Sequence, residues 1–162
     1  MNSYIFVDLD ETLIHTFSSW DDKVGQNIKS FTLSDGDFYE TCERPGALEF
    51  LAKLRQIAPV YMLTAATTEY ADTVNELFSF GFDPMHIYAR EDVHGNDIQL
   101  EPVESVHLID NLPKRENHTK IHFLRSVSKH KTINYIQCST FSGGDNLPLD
   151  QKTIDSLISK IK

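Results

Sequence analysis

The sequence has 162 residues, a length suited to one hydrophobic core. With 40% hydrophobic and 24% charged residues it is too apolar for a disordered chain, yet no apolar run approaches the roughly 20 residues that span a bilayer. A formal net charge of -9 argues against a polyanionic partner for the molecule as a whole.

Met1-Asn2-Ser3 carries neither a basic stretch nor a small-residue cleavage site, so no secretory leader is expected. Tyr4-Ile5-Phe6-Val7 is a short apolar run that ends at Asp8 and reads as a strand buried on both faces. Between about residues 16 and 43, Asp35-Gly36 separates Phe31-Thr32-Leu33 from Phe38-Tyr39, which predicts a β-hairpin inserted after the first strand. Ala47, Leu48, Leu51, Leu54 and Ala58 share one helical face, opened near Pro45 and closed by Pro59. Val60-Tyr61-Met62-Leu63 is a second buried strand, running into Thr64. Tyr70, Ala71, Val74, Leu77 and Phe78 predict a second helix, with Gly81 as its left-handed terminator. A short strand is expected through His86-Ile87-Tyr88-Ala89, another at Val106-His107-Leu108-Ile109 before Asp110, and another from Ile133 to Cys138. Ile154, Leu157, Ile158 and Ile161 form a last helical face behind Asp150, a candidate N-cap.

Strand–helix alternation of this kind predicts an α/β fold, a doubly wound parallel sheet, with one domain over residues 1–162 and a small β insertion at about 16–43. In such sheets ligands bind beyond the carboxyl ends of the strands, where Asp8, Thr64 and Asp110 all fall. Asp8 and Asp10 are two apart on extended chain, so both side chains can face one ligand. Paired carboxylates suit phosphoryl transfer, one as nucleophile and the other as proton donor, although acids are also common in strand-end turns.

The run Phe6-Val7-Asp8-Leu9-Asp10-Glu11-Thr12-Leu13-Ile14-His15 resembles the first motif of the haloacid-dehalogenase superfamily. The likeness is greatest to the branch of RNA polymerase II C-terminal-domain phosphatases, the NLI-interacting-factor-like group. It continues through Glu43-Arg44-Pro45-Gly46, Leu63-Thr64-Ala65-Ala66 and Ile109-Asp110-Asn111-Leu112-Pro113, in family order over about residues 4–113. The resemblance implies a Rossmann-like core and a Mg²⁺-dependent phosphatase with Asp8 as nucleophile and Asp10 as general acid and base. It implies a metal held by Asp8, Asp10, Asp110 and Asn111, with Thr12 supporting the loop and Thr64 and Ala65 meeting the phosphoryl group. A phosphorylated protein segment is the implied substrate, because an insertion this short makes a flap rather than a closed lid.

The sequence departs from the family in one respect. A lysine expected upstream of the last acidic motif is missing: from Gln56 to Pro113 the only Lys or Arg is Arg90, and Asn96-Asp97-Ile98-Gln99-Leu100-Glu101-Pro102 supplies none. Arg90 is the preferred phosphate contact, and Lys114 the candidate replacement for the lysine. That gap motivates one alternative, a non-catalytic phosphate-binding module. The other alternative, a nucleotide or nucleic-acid-end phosphatase, comes from residues 114–131, where six Lys or Arg face Glu116 as the single acid, a local +5. The plainer explanation of that run is a solvated helix face. His15, His94 and His107 lack zinc-ligand spacing and read as packing or hydrogen-bonding residues. Trp20, with Phe17 and Phe31, lines a substrate pocket or staples the insertion. Cys42 and Cys138 match no metal spacing, which fits a reducing, cytoplasmic setting. A monomer without membrane contact is expected.

Overall fold

The structure, a computed structural model, describes residues 2–95, 97–144 and 146–161. Its strands and helices in chain order are β1 (Ser3–Val7), β2 (Ile14–Thr16), β3 (Gln26–Thr32), β4 (Phe38–Glu43), α1 (Ala47–Arg55), β5 (Val60–Leu63) and α2 (Thr68–Leu77). They continue with β6 (Ile87–Tyr88), α3 (Arg90–Gly95), β7 (Ser105–Asp110), α4 (His118–Ser128), β8 (Asn134–Gln137) and α5 (Gln151–Ser159). Five strands pair in parallel in the order β6-β5-β1-β7-β8. The chain winds outward from β1 to β6, then returns to β1's other side as β7. This reversal opens a crevice between the ends of β1 and β7.

Every residue of β1 is buried, which requires cover on both faces. Ile5 and Val7 pack with Leu51, Leu54, Val74 and Leu157, from α1, α2 and α5. Tyr4 and Phe6, pointing the opposite way, pack with Ile121, Phe123, Leu124 and Val127 of α4. Full burial of each such side chain contributes about 1.5–3 kcal/mol, so α4 is as much a part of the core as α1. The solvated face expected for residues 114–131 is present, with Lys114, Arg115, Arg125, Lys129 and Lys131 exposed, but four apolar residues turn the other side of that helix inward and carry Lys120 with them.

α1 starts at Gly46, whose φ of 88° is left-handed. A Cβ there would lie 1.9 Å from the Leu149 carbonyl oxygen, because Leu149 N donates to Pro45 O at 2.7 Å. Thr67 caps α2 by accepting from Tyr70 N, and Asp150 caps α5 by accepting from Thr153 N at 2.8 Å. The left-handed residue just past α2 is Ser79, φ 55°, rather than Gly81, which comes two residues later with φ 79° of its own.

The insertion is larger than a hairpin. β3 and β4 form the predicted hairpin around Asp35-Gly36, but β2 pairs antiparallel with β4, giving a three-stranded sheet in the order β2-β4-β3 that begins at Ile14. The added strand was hidden because Ile14-His15-Thr16 directly follows the acidic turn and is only three residues long. No helix among the described residues is long and apolar enough to cross a membrane.

Candidate active site

At the carboxyl ends of β1, β5 and β7 lies a cavity of about 440 Å³, open on one side. Asp8, Asp10, Thr64, Ala65, Asp110 and Asn111 line it, and Lys120 reaches it from α4. Three stretches far apart in sequence therefore deliver their polar side chains to one space.

Lys120 is buried, 7% exposed, and its Nζ donates to Asp8 Oδ1 at 2.7 Å and Asp110 Oδ2 at 2.8 Å. Burial pushes the Asp8 carboxyl up to about 7 and Asp110 adds to the effect, with the Lys120 ammonium and Thr12 hydroxyl working against it. Burial pulls the Lys120 ammonium down, but its two carboxylate partners outweigh that and hold it above its ordinary value. Two buried acids share one amine, so this trio carries surplus negative charge.

The turn after β1 is tightly made. Glu11 has φ 65°, its N–H donates to Ile14 O at 2.8 Å, and Leu13 N donates to Leu9 O at 2.9 Å. Thr12 Oγ1 donates to Asp8 Oδ2 at 2.9 Å and lies 3.3 Å from Asn111 Oδ1. Arg44, fully buried, anchors the turn from below without a carboxylate partner among the described residues. Its Nη1 donates to Thr12 O at 3.1 Å and Ser139 O at 2.9 Å, and its Nε to Leu147 O at 2.9 Å. Sequence reading passed over this role, since nothing in a Glu-Arg-Pro-Gly run shows that its cation faces carbonyls.

Asp10 is fixed by a relay from the insertion. Tyr70 Oη donates to Asp10 Oδ1 at 2.8 Å; having used its one proton, it accepts from Thr16 Oγ1 at 2.5 Å, and Thr16 in turn accepts from Thr41 Oγ1 at 2.8 Å. Burial raises the Asp10 carboxyl above the usual range, the Tyr70 hydrogen bond opposing it.

Thr64 is buried; its Oγ1 accepts from Ala66 N at 3.1 Å, which leaves its O–H as a donor. Arg90 is exposed on the rim, where its Nε donates to Ala65 O at 3.0 Å. Lys114 does not line the cavity. It sits exposed in a single 3-10 turn before α4, and the amine beside Asp8 is Lys120 instead. Of the 96–102 segment expected to hold the family's lysine, Asn96 lies outside the described residues. The overlooked signal was alignment: Lys120, Leu124 and Val127 share one helical stripe, so a cation in line with apolar residues points inward. Five other cations nearby masked it.

His15 bridges Glu11 (2.9 Å to Oε2) and Asp21 (3.1 Å to Oδ2), His107 is a core residue between Ser105 and Asn134, and His94 is exposed at the cavity edge. Trp20 is 93% exposed and does not line the cavity, whereas Phe31 packs on Tyr39 and Tyr70. Among the described residues no three His, Cys, Asp or Glu side chains group as a metal site by themselves.

A family model described as NLI interacting factor-like phosphatase matches residues 4–147. This chain belongs to that family. The matched region of the NLI interacting factor-like phosphatase family takes in all the cavity's lining residues, Lys120 included, and stops short of α5. Among curated proteins none matches the sequence significantly. Solved structures share the fold: the fission yeast RNA polymerase II CTD phosphatase Fcp1 bound to beryllium fluoride superposes with a TM-score of 0.57 at 18% identity, over 97% of this chain and 49% of that one. A structure of Fcp1, described as an essential RNA polymerase II CTD phosphatase, gives 0.56 at 18% identity over 96% and 47%. The chain thus spans about half the length of these neighbours.

Proposed function

We propose that this member of a phosphatase family hydrolyses a phosphomonoester in two displacements at the Asp8 carboxylate. In the first, an Asp8 oxygen bonds to phosphorus, the bond to the leaving oxygen breaks, and Asp10 gives that oxygen its proton. In the second, Asp10 takes a proton from water, whose oxygen displaces Asp8 and yields orthophosphate. Lys120 offsets charge as carboxylate and phosphate approach, while the Thr64 hydroxyl and Ala65 N–H donate to phosphoryl oxygens. The observation that carries this reading is the buried ammonium between Asp8 and Asp110, with Asp10 in the same cavity.

The donor set fits Mg²⁺. Asp8 and Asp110 share one amine and leave surplus negative charge, and the carboxylates, the Asn111 amide oxygen and the Asp10 carbonyl are hard oxygen donors. When bound, the dication would supply further charge neutralisation for the meeting of two anions.

A phosphoserine or phosphothreonine in a protein segment suits the open side of the cavity, and the Fcp1 likeness favours such a substrate. Oligonucleotide ends are the competing substrate, favoured by the basic run at 114–131. The non-catalytic alternative loses its ground, since Lys120 supplies the amine whose absence motivated it. A cytoplasmic setting accords with Cys42 and Cys138 being free and buried.

Phosphate release from phosphopeptides, p-nitrophenyl phosphate and phosphorylated oligonucleotides tests this. Turnover should need Mg²⁺, stop on chelation, and vanish in Asp8→Asn. Wild-type rates in Asp8→Asn would refute the mechanism, and turnover of oligonucleotides alone would refute the protein substrate.

A further inference from the structure

The surface formed by α2, α3 and α4 is electrically lopsided. On one side, α2 and the start of α3 present Glu69, Asp72, Glu76 and Glu91 around a shallow hollow. On the other, residues 114–131 carry +5 while the remainder of the chain carries -14. Lys120 is the one cation of that run committed to the site; Lys114, Arg115 and Arg125 are exposed, and none of these three forms an ion pair among the described residues.

These cations lie along a path. A second hollow, lined by His94, His118 and His122, shares Val93, His94 and Thr119 with the catalytic cavity. A third, lined by Lys114, Arg115, His118 and Arg125, shares His118 with the second. The three depressions therefore join into one track leading from Asp8 across the N-terminal half of α4. His118, His122 and Arg125 are spaced four and three residues apart, which sets them on one exposed stripe.

We infer that this track selects a phosphopeptide bearing a second anionic group, either another phosphoryl group or a carboxylate, displaced from the phosphate being removed. This rests on the phosphatase reading of the cavity. The stripe from His118 to Arg125 covers about 10 Å of helix axis. An extended peptide advances about 3.3 Å per residue, so it needs about three residues to cross that stripe alone, and the second anion falls at least that far from the phosphate being removed. Arginine on an open surface suits either phosphate or carboxylate. A nucleic-acid strand fits less well: single strands are held by stacking bases on aromatic rings, and Trp20 and Phe38, the exposed large aromatics among the described residues, belong to the insertion, which leaves the track only the imidazoles of His94, His118 and His122.

Matched phosphoserine peptides provide the test: one otherwise neutral, and others with a second phosphoserine or an aspartate pair about three to six residues before or after. In one of the two placements kcat/KM should rise about tenfold over the neutral peptide, less so as salt increases. The double variant Arg115→Gln/Arg125→Gln should erase that preference and leave p-nitrophenyl phosphate turnover unchanged. Equal kcat/KM for all peptides, a preference that survives the double variant, or faster turnover of phosphorylated oligonucleotides than of any peptide would overturn the inference. Fluorescence anisotropy of the labelled doubly phosphorylated peptide on Asp8→Asn reads the track without catalysis. A wild-type chain that releases no phosphate while this binding remains sensitive to the double variant would refute the phosphatase reading alone; binding that ignores the double variant would refute the track.

Discussion

Replacing Tyr70 by Phe removes one oxygen atom from a buried ring and nothing else. Its loss takes from Asp10 the hydrogen bond at 2.8 Å and from Thr16 the acceptor at 2.5 Å, while the ring's packing on Phe31 and Tyr39 is kept. A hydrogen bond to a charged group is worth about 1.5–3 kcal/mol, which corresponds to a loss of roughly 10- to 150-fold if all of it is spent on orienting the acid. The loss should not be uniform. A seryl oxygen needs Asp10's proton as it departs, whereas p-nitrophenolate leaves well without one. In Tyr70→Phe, kcat for a phosphoserine peptide should therefore fall by that full factor and kcat for p-nitrophenyl phosphate by only a few-fold, with Mg²⁺ saturating in both assays. Equal losses on the two substrates would mean that Tyr70 acts only through the fold, and unchanged kcat on both would mean that Asp10 needs no such orientation. Either outcome refutes the relay.

Lys120→Met should lower turnover by about 10²- to 10³-fold, the usual consequence of losing one charge-stabilising donor. It leaves Asp8 and Asp110 unpaired in the interior, so urea denaturation should show a stability loss of about 3–5 kcal/mol. Lys114→Ala, by contrast, should leave p-nitrophenyl phosphate turnover untouched, and an equal effect of the two substitutions would overturn the assignment of the amine. Gly46→Ala places a methyl group against the Leu149 carbonyl and forces a left-handed φ on alanine, which should cost at least about 2 kcal/mol in a thermal melt. Burial holds His107 below its ordinary value, so the unfolded chain takes up the proton first as pH falls. Stability from this residue is thus complete above about pH 6.5 and is lost on acidification, and His107→Gln should flatten the urea midpoint between pH 7 and 5 relative to wild type.

The core of the parallel sheet was legible because β1, β5 and most of β7 are short apolar runs, as strands covered on both faces require, and Asp8, Thr64 and Asp110 each stand at the end of one. Two features resisted reading for physical reasons. Lys120 owes its inward position to the register of α4 against the sheet, and charge counting treats all six cations of that run alike. Arg44 is oriented by carbonyls of Thr12, Ser139 and Leu147, groups that every residue carries and that no sequence pattern distinguishes. β2 was missed because three residues are too few to show alternation; only its partner strand defines it.

Those same three carbonyls have a consequence for synthesis. The turn after β1 comes well before the groups that brace it in chain order: the Arg44 guanidinium finds its other partners only once Ser139 and Leu147 are made, and Phe141 N closes onto Glu11 O at 2.8 Å at the same stage. A growing chain therefore holds Asp8 in an unbraced loop until residues 139–147 have followed, and the turn and the segment that braces it are completed together.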